Sequence, residues 1–172
     1  MTRDEDEAGA PCREGRISRP TKVLADGHEV INIDTYIPYF LSSVNNALSS
    51  GASAQYLRDY GVGIVDWRVI SMLAIEPGIP AARICSVVSL DKGAASRSLA
   101  KLAEVELVAG EAMENDPRRR IWTLSPAGYA LHDRILAAAL VRERKLIDGT
   151  DPADLEAFLR VIRVMRRNVE GL

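Results

Sequence analysis

LDKGAASRSLAKLAEVELVAGEAMENDPRRRIWTLSPAG, residues 90–128, is the stretch whose reading decides the fold. Asp91 is a short acceptor of the kind that caps a helix N-terminus, and Ala95, Leu99 and Leu102 follow it at four- and three-residue steps. That pattern predicts a helix with one apolar stripe, so Lys92, Gly93, Ser96, Arg97, Ala100 and Lys101 face outward, with no acid between residues 92 and 103. Val108 to Met113 then reads as a strand, Glu114-Asn115-Asp116-Pro117 as turn chemistry, and Arg118 to Leu124 as a second strand. Three consecutive arginines, Arg118, Arg119 and Arg120, stand beside the tip of that hairpin. Ser125-Pro126 opens another helix with proline at its first position, running through Leu131, Ile135, Ala138 and Leu146 to Gly149.

Upstream, Asp66 to Ile75 places Trp67, Ile70, Leu73 and Ala74 on one face, with Asp66 as the expected N-cap and Pro77-Gly78 as the stop. Pro80 falls where the first turn of a further helix would start, with Ile84, Val87 and Val88 as its buried stripe. Before these, Tyr36, Ile37, Phe40, Leu41, Val44 and Leu48 recur at helical spacing and end at Ser49-Ser50-Gly51. After Asp151-Pro152, Leu155, Phe158, Ile162, Met165 and Val169 form a seam suited to a neighbouring helix. Val161 and Val164 widen it beyond what one neighbour in a small domain needs, which implies a partner chain. Residues 1–30 are polar and hold Pro11, Pro20 and three glycines, so a mobile arm is expected there.

The 172 residues suggest one domain or two small units, and 47% apolar with 27% charged residues is ordinary globular composition. Aromatic residues make up only 5%, so Leu, Ile, Val and Ala must build the core, which favours helices. A net charge of -2 excludes indiscriminate coating of polyanions but not a local basic face. The first ten residues carry four acids and no apolar run, and the longest apolar run, Ile135 to Val141, is too short to cross a bilayer. A cytoplasmic protein without membrane contact is expected. Cys12, Cys85, His28 and His132 are too few and too scattered for a disulfide framework or a zinc set, so no metal and no cofactor are expected.

Three short helices followed by a hairpin with a basic tip describe a winged helix-turn-helix. At this point the chain resembles the MarR family of bacterial transcriptional regulators through DWRVISML (66–73), LDKGAASRSLAKL (90–102) and NDPRRRIWTLSPAG (115–128). The last fits the family's wing signature through Asp116, Arg118 and Leu124, with Ser125 in place of threonine. Ser89 and Glu106 stand where such proteins usually have glycine, so those turns are open to another conformation. The resemblance implies a mainly α fold with a small β-hairpin wing, divided into an arm (1–30), a helical dimerisation region (31–60 and 126–172) and a winged helix-turn-helix (61–125). It implies a ligand-responsive DNA-binding regulator, a repressor, that binds a pseudo-palindromic operator in double-stranded DNA as a homodimer.

Short residues near the N-terminus of a recognition helix let its backbone approach the major groove, and longer donors behind them reach base edges or phosphates. Gly93, Ala94 and Ser96 are the short residues here, Lys92, Arg97 and Lys101 the donors, and Arg97 is the foremost candidate for a base contact. Arg118, Arg119 and Arg120 suit the minor groove and its flanking phosphates. Residues 61–127 hold eight bases and eight acids, yet six of those bases lie in this helix and hairpin. The resemblance also implies an effector crevice, with Tyr36, Phe40, Trp67, Arg68 and His132 as its candidates. Such a lining suits a small aromatic carboxylate or a related phenolic or thioester metabolite. Each of these aromatic residues equally fits a core stripe.

Three other functions compete. A thiol-based redox-sensing regulator would act through Cys12 or Cys85, although Cys85 reads as a small buried hydrophobe. A winged helix used only for protein contact would be expected to lack the acid-free cationic face. An enzyme is disfavoured by the absence of a Walker A loop, of GxGxxG after a strand, and of HExxH and GxSxG motifs.

Overall fold

The computed structural model describes residues 18–113 and 116–169, with only the backbone of Pro117 and Arg118. The chain divides into two compact units, Met1–Ile64 and Val65–Leu172. No helix among the described residues is long and apolar enough to cross a membrane.

The first unit opens with a small hairpin, β1 (Thr21–Val23) against β2 (Glu29–Ile31), antiparallel with Lys22 opposite Val30. This corrects the expectation of a mobile arm as far as residue 30, of which residues 1–17 lie outside the described part. The expectation missed the turn: Leu24 donates its N–H to His28 O and Gly27 donates to Leu24 O, both at 2.9 Å. Thr21 Oγ1 adds a 2.6 Å bond to Glu29 Oε1 across the pair.

Helix α1 spans Ile37–Tyr60 and does not stop at Ser49-Ser50-Gly51. A glycine inside a helix costs about 1 kcal/mol relative to alanine, which is too little to end it when helix-compatible residues continue beyond. Those residues include Ala52 and Tyr56, the only buried positions of α1. The helix ends where Gly61 adopts a left-handed conformation and donates to Leu57 O at 3.1 Å.

The second unit carries α2 (Ile64–Ile75), β3 (Ile79–Pro80), α3 (Ala81–Val88), α4 (Lys92–Glu104), β4 (Val108–Met113), β5 (Asp116–Leu124), α5 (Pro126–Leu146) and α6 (Pro152–Val169). The fold is mainly α with a small antiparallel wing in the order β3-β5-β4. Proline 80 is not the first helical residue: it pairs with Ile121 in β3, and its extended backbone (φ -75°, ψ 154°) caps α3. Asp66 is not an N-cap either, because α2 begins two residues earlier.

The core holds most of the stripes expected from spacing, but α2 also buries Val69 and Met72 and leaves Trp67 and Ala74 half-buried, while on α5 Ala138 is half-buried and Leu146 exposed. Val69, Ile70, Met72 and Leu73 of α2, Ile84 of α3, Ala95, Leu99 and Leu102 of α4, and Leu131 and Ile135 of α5 are all buried. Val87, Val88 and Cys85 of α3 are only half-buried. That corrects the view of Cys85 as a core residue: a helix of eight residues offers the interior one narrow face, here filled by Ile84.

Both turns that lack glycine keep the left-handed conformation. Ser89 (φ 52°) closes α3, and Glu106 (φ 56°) follows α4. The second is tied down from the next segment, since Ser125 Oγ donates to Glu106 O at 2.7 Å and Ser125 N donates to Leu107 O at 3.0 Å. Ser125 also caps α5 by accepting from Gly128 N at 3.0 Å. The approach is so close that a Cβ on Gly128 would lie 2.1 Å from Leu107 O, so this position admits only glycine.

Candidate nucleic-acid interface

Helix α4 is built to present a short-residue, cationic face. Asp91 caps it, its Oδ1 accepting from Ala94 N at 2.8 Å, so one of the free N–H groups of the first turn is satisfied by the chain itself. Ala95, Ser98, Leu99 and Leu102 face inward. Lys92, Gly93, Ser96, Arg97 and Ala100 are exposed and Ala94 is half-buried, as the stripe requires. The Arg97 guanidinium lies back toward the start of the helix, where a Cβ on Gly93 would come within 3.1 Å of it.

Beside α4 stands the wing. Arg119 and Arg120 are exposed on β5. Arg118 lies on the same strand, and its side chain is outside the described residues. Between helix and wing runs an open groove of about 360 Å³ lined by Pro80, Ala81, Ala82, Ser96, Leu99, Ala100, Arg119, Arg120 and Trp122. It brings Ser96 and two wing arginines to one surface. Trp122 reaches this surface because β5 is the central strand, bonded to β3 on one side and β4 on the other. Lys92, Arg97, Arg119 and Arg120 have no hydrogen bond or ion pair among the described residues.

Lys101 differs from them. Its Nζ lies 2.6 Å from Asp66 Oδ2, and Ser98 Oγ donates to Asp66 Oδ1 at 2.7 Å. Asp66 is 6% exposed, so α4 is joined to α2 by a buried carboxylate that holds two of its side chains. Local spacing gave no signal for this role, because the partners lie 32 and 35 positions away. At the other end of α2, Glu76 grips Arg83 of α3 through two bonds of 2.7 and 2.8 Å. The hydrogen bonds from the Arg83 guanidinium hold the Glu76 carboxyl below its ordinary range, and the same pairing raises Arg83.

The candidate effector residues divide between the units. Tyr36 is half-buried and precedes α1, while Phe40 is 47% exposed, so Phe40 does not belong to a core stripe. The first turn of α1 buries no side chain, and a residue there has no interior to face. In the second unit, the Trp67 and His132 rings stack with centroids 5.5 Å apart and planes 26° from parallel. His132 Nδ1 lies 2.9 Å from Asp133 Oδ1, and Arg68 on α2 is half-buried. Cys85 is a free thiol, and Cys12 lies outside the described residues.

No protein-family model matches the sequence, and no curated protein matches it. Solved structures do. The chain is similar to a MarR/EmrR family transcriptional regulator from Acinetobacter sp. ADP1, with 26% identity, a TM-score of 0.76, and 83% of this chain and 100% of that one covered. The fold is that of the MarR family of transcriptional regulators. A MarR family regulator from Silicibacter pomeroyi superposes with a TM-score of 0.73 at 22% identity, over 86% of this chain and 97% of that one. The PcaV transcriptional regulator from Streptomyces coelicolor, solved in complex with its natural ligand, gives 0.68 at 16% identity, over 80% and 96%. In MarR family terms, α3 and α4 are the helix-turn-helix and β3, β5 and β4 the wing.

Proposed function

We propose that this protein is a DNA-binding transcriptional regulator, a repressor, that reads a pseudo-palindromic operator as a homodimer. One observation carries the reading: the exposed edge of α4 and the adjoining wing hold Lys92, Arg97, Arg119 and Arg120, cations without a partner among the described residues, around short residues. Backbone approach needs the short side chains, base edges and phosphates need the donors, and α4 with the wing supplies both. Arg118 completes the wing by its place on β5. The net charge of -2 fits, because affinity rests on two small patches in a dimer and not on overall charge.

The dimer follows from apolar surface left open. Phe158, Val161, Val164 and Val169 of α6, and Phe40, Leu41 and Val44 of α1, are between 40% and 64% exposed. A second copy covers these faces in the proposed assembly.

The test is a mobility shift, followed by a footprint, on the DNA upstream of the protein's own gene at two salt concentrations. Protection of two half-sites about one helical turn apart is expected, with affinity falling steeply as salt rises. A failure to retard any duplex at low salt overturns the reading. The effector proposed is a small aromatic carboxylate or a related phenolic or thioester metabolite, held near Arg68 and the Trp67–His132 stack. Support comes from the stacked Trp67 and His132 rings, and from the structural neighbour solved with its natural ligand. Calorimetric titration with a panel of such acids tests it, and absence of heat for all of them removes it.

A further inference from the structure

The geometry points to Asp66 as a positioning residue that neutralises Lys101 and withholds its charge from DNA, leaving Lys92 in the first turn and Arg97 behind it as the long donors of α4. The inference rests on the DNA-binding reading above. Arg97 and Lys101 stand one turn apart on α4 and line one hollow of about 220 Å³ together with Val65, Asp66, Ala94 and Ser98. Two such cations are equivalent by sequence. They are not equivalent in the fold, because Lys101 Nζ is 2.6 Å from Asp66 Oδ2 whereas Arg97 has no ion pair among the described residues.

The Asp66 side chain is 9% exposed against 49% for Lys101, so the pair sits at the margin of the core with the carboxylate inside and the ammonium outside. A buried carboxylate is retained only when its oxygens are bonded, and here both are, one by Ser98 and the other by Lys101. Breaking the pair to meet a phosphate would take the ammonium from Asp66 Oδ2, whereas Arg97 gives up no ion pair to meet the duplex. An asparagine at position 66 would join α2 to α4 through the same Ser98 bond. What it could not do is cancel a charge beside the approaching DNA.

The experiment measures anisotropy of a fluorescein-labelled random-sequence duplex bound to the full chain over a range of salt. Asp66→Asn keeps the shape and the Ser98 bond while freeing Lys101, and is expected to steepen the slope of log affinity against log salt by about 0.9 per subunit, one new phosphate contact. Lys101→Gln, which keeps an N–H for Asp66, is expected to leave the wild-type slope unchanged, and the double variant is expected to return to it. Arg97→Gln sets the scale by flattening the slope about 0.9 per subunit. A wild-type slope in folded Asp66→Asn overturns the inference. So does a flattened slope in Lys101→Gln, which decides the matter even if Asp66→Asn does not fold. Circular dichroism melting separates those cases. A wild-type chain that binds no duplex would instead defeat the DNA-binding reading itself, and this inference with it.

Discussion

The winged helix and the outer helices are made of the same kinds of residue and end in opposite states. Val69, Ile70, Leu73, Ile84, Ala95 and Leu102 are 0% exposed, whereas α6 buries nothing and leaves Phe158 at 55% and Val169 at 64%. Burial of a Leu, Ile or Phe side chain contributes about 1.5–3 kcal/mol, so the winged helix closes on itself and the outer helices leave that contribution unrealised within one chain. The difference separates residues that hold the fold from residues whose apolar surface stays open within one chain. Composition does not distinguish them.

Truncation on either side of this divide is the strongest way to break the comparison. Leu102→Ala opens a cavity under α4 and is expected to cost about 3 kcal/mol, read as a lower urea midpoint at any protein concentration. Phe158→Asp with Val161→Asp is expected to shift sedimentation toward a monomer and to abolish the concentration dependence of melting. If the outer pair instead unfolds the chain at all concentrations, the two regions are one core and the comparison fails.

Gly128→Ala comes next. Its added Cβ would lie 2.1 Å from a backbone oxygen that cannot move aside without disturbing Ser125, and about 2–3 kcal/mol of destabilisation is expected in the same urea series. Asp91→Ala removes only a cap and is expected to cost about 1 kcal/mol. Its effect should fall on α4, visible as faster amide exchange in the first turn of that helix with little change in α5.

How far each region could be read from sequence follows the same divide. The stripe of α4 and the first half of that of α5, the cap at Asp91 and the helix start at Ser125-Pro126 were legible because each depends on residues within about one turn. The cationic face was legible for the same reason, since solvent-facing positions are the complement of the stripe. Three features escaped. Strands of two or three residues, β1, β2 and β3, are too short for alternation to register, and β3 exists only because β5 accepts it. Gly51 looked like a stop because a local window cannot weigh it against the burial of Tyr56 later in the helix. Asp66 looked like a cap because its acceptor chemistry suits one. Its real partners are distant in sequence, and with them went the distinction between Arg97 and Lys101.

Glu106→Gly tests a smaller term and in the opposite direction. The position holds φ 56° with a side chain attached, a conformation that costs a non-glycine residue about 1 kcal/mol, so the glycine variant is expected to be more stable by up to that amount. Ser89→Gly at φ 52° should behave alike, and the two gains should add because different helices carry them. A gain for Ser89→Gly with none for Glu106→Gly would mean that the Ser125 bond to Glu106 O relieves the strain at position 106, a bond that position 89 lacks. The pair therefore also reports on how firmly the hairpin is tied to the start of α5.

The smallest expected effect concerns the pair that spans α2 and α3 on the surface of the winged helix. Arg83 holds the Glu76 carboxyl below its ordinary value by hydrogen bonding to it, so the folded chain binds that proton less readily than the unfolded chain does. The stabilisation is then complete above the unfolded carboxylate value of about 4.3 and is lost as pH falls through the lower folded value. Both side chains are at least one-third exposed, so salt should screen the effect. Comparing wild type with Glu76→Gln across acid pH isolates it: the difference in melting temperature should shrink as pH falls, and shrink further at high salt. A difference that persists unchanged at the lowest pH would assign the contact to hydrogen-bond geometry alone, because a neutral amide and a protonated carboxyl would then not be equivalent partners for the guanidinium.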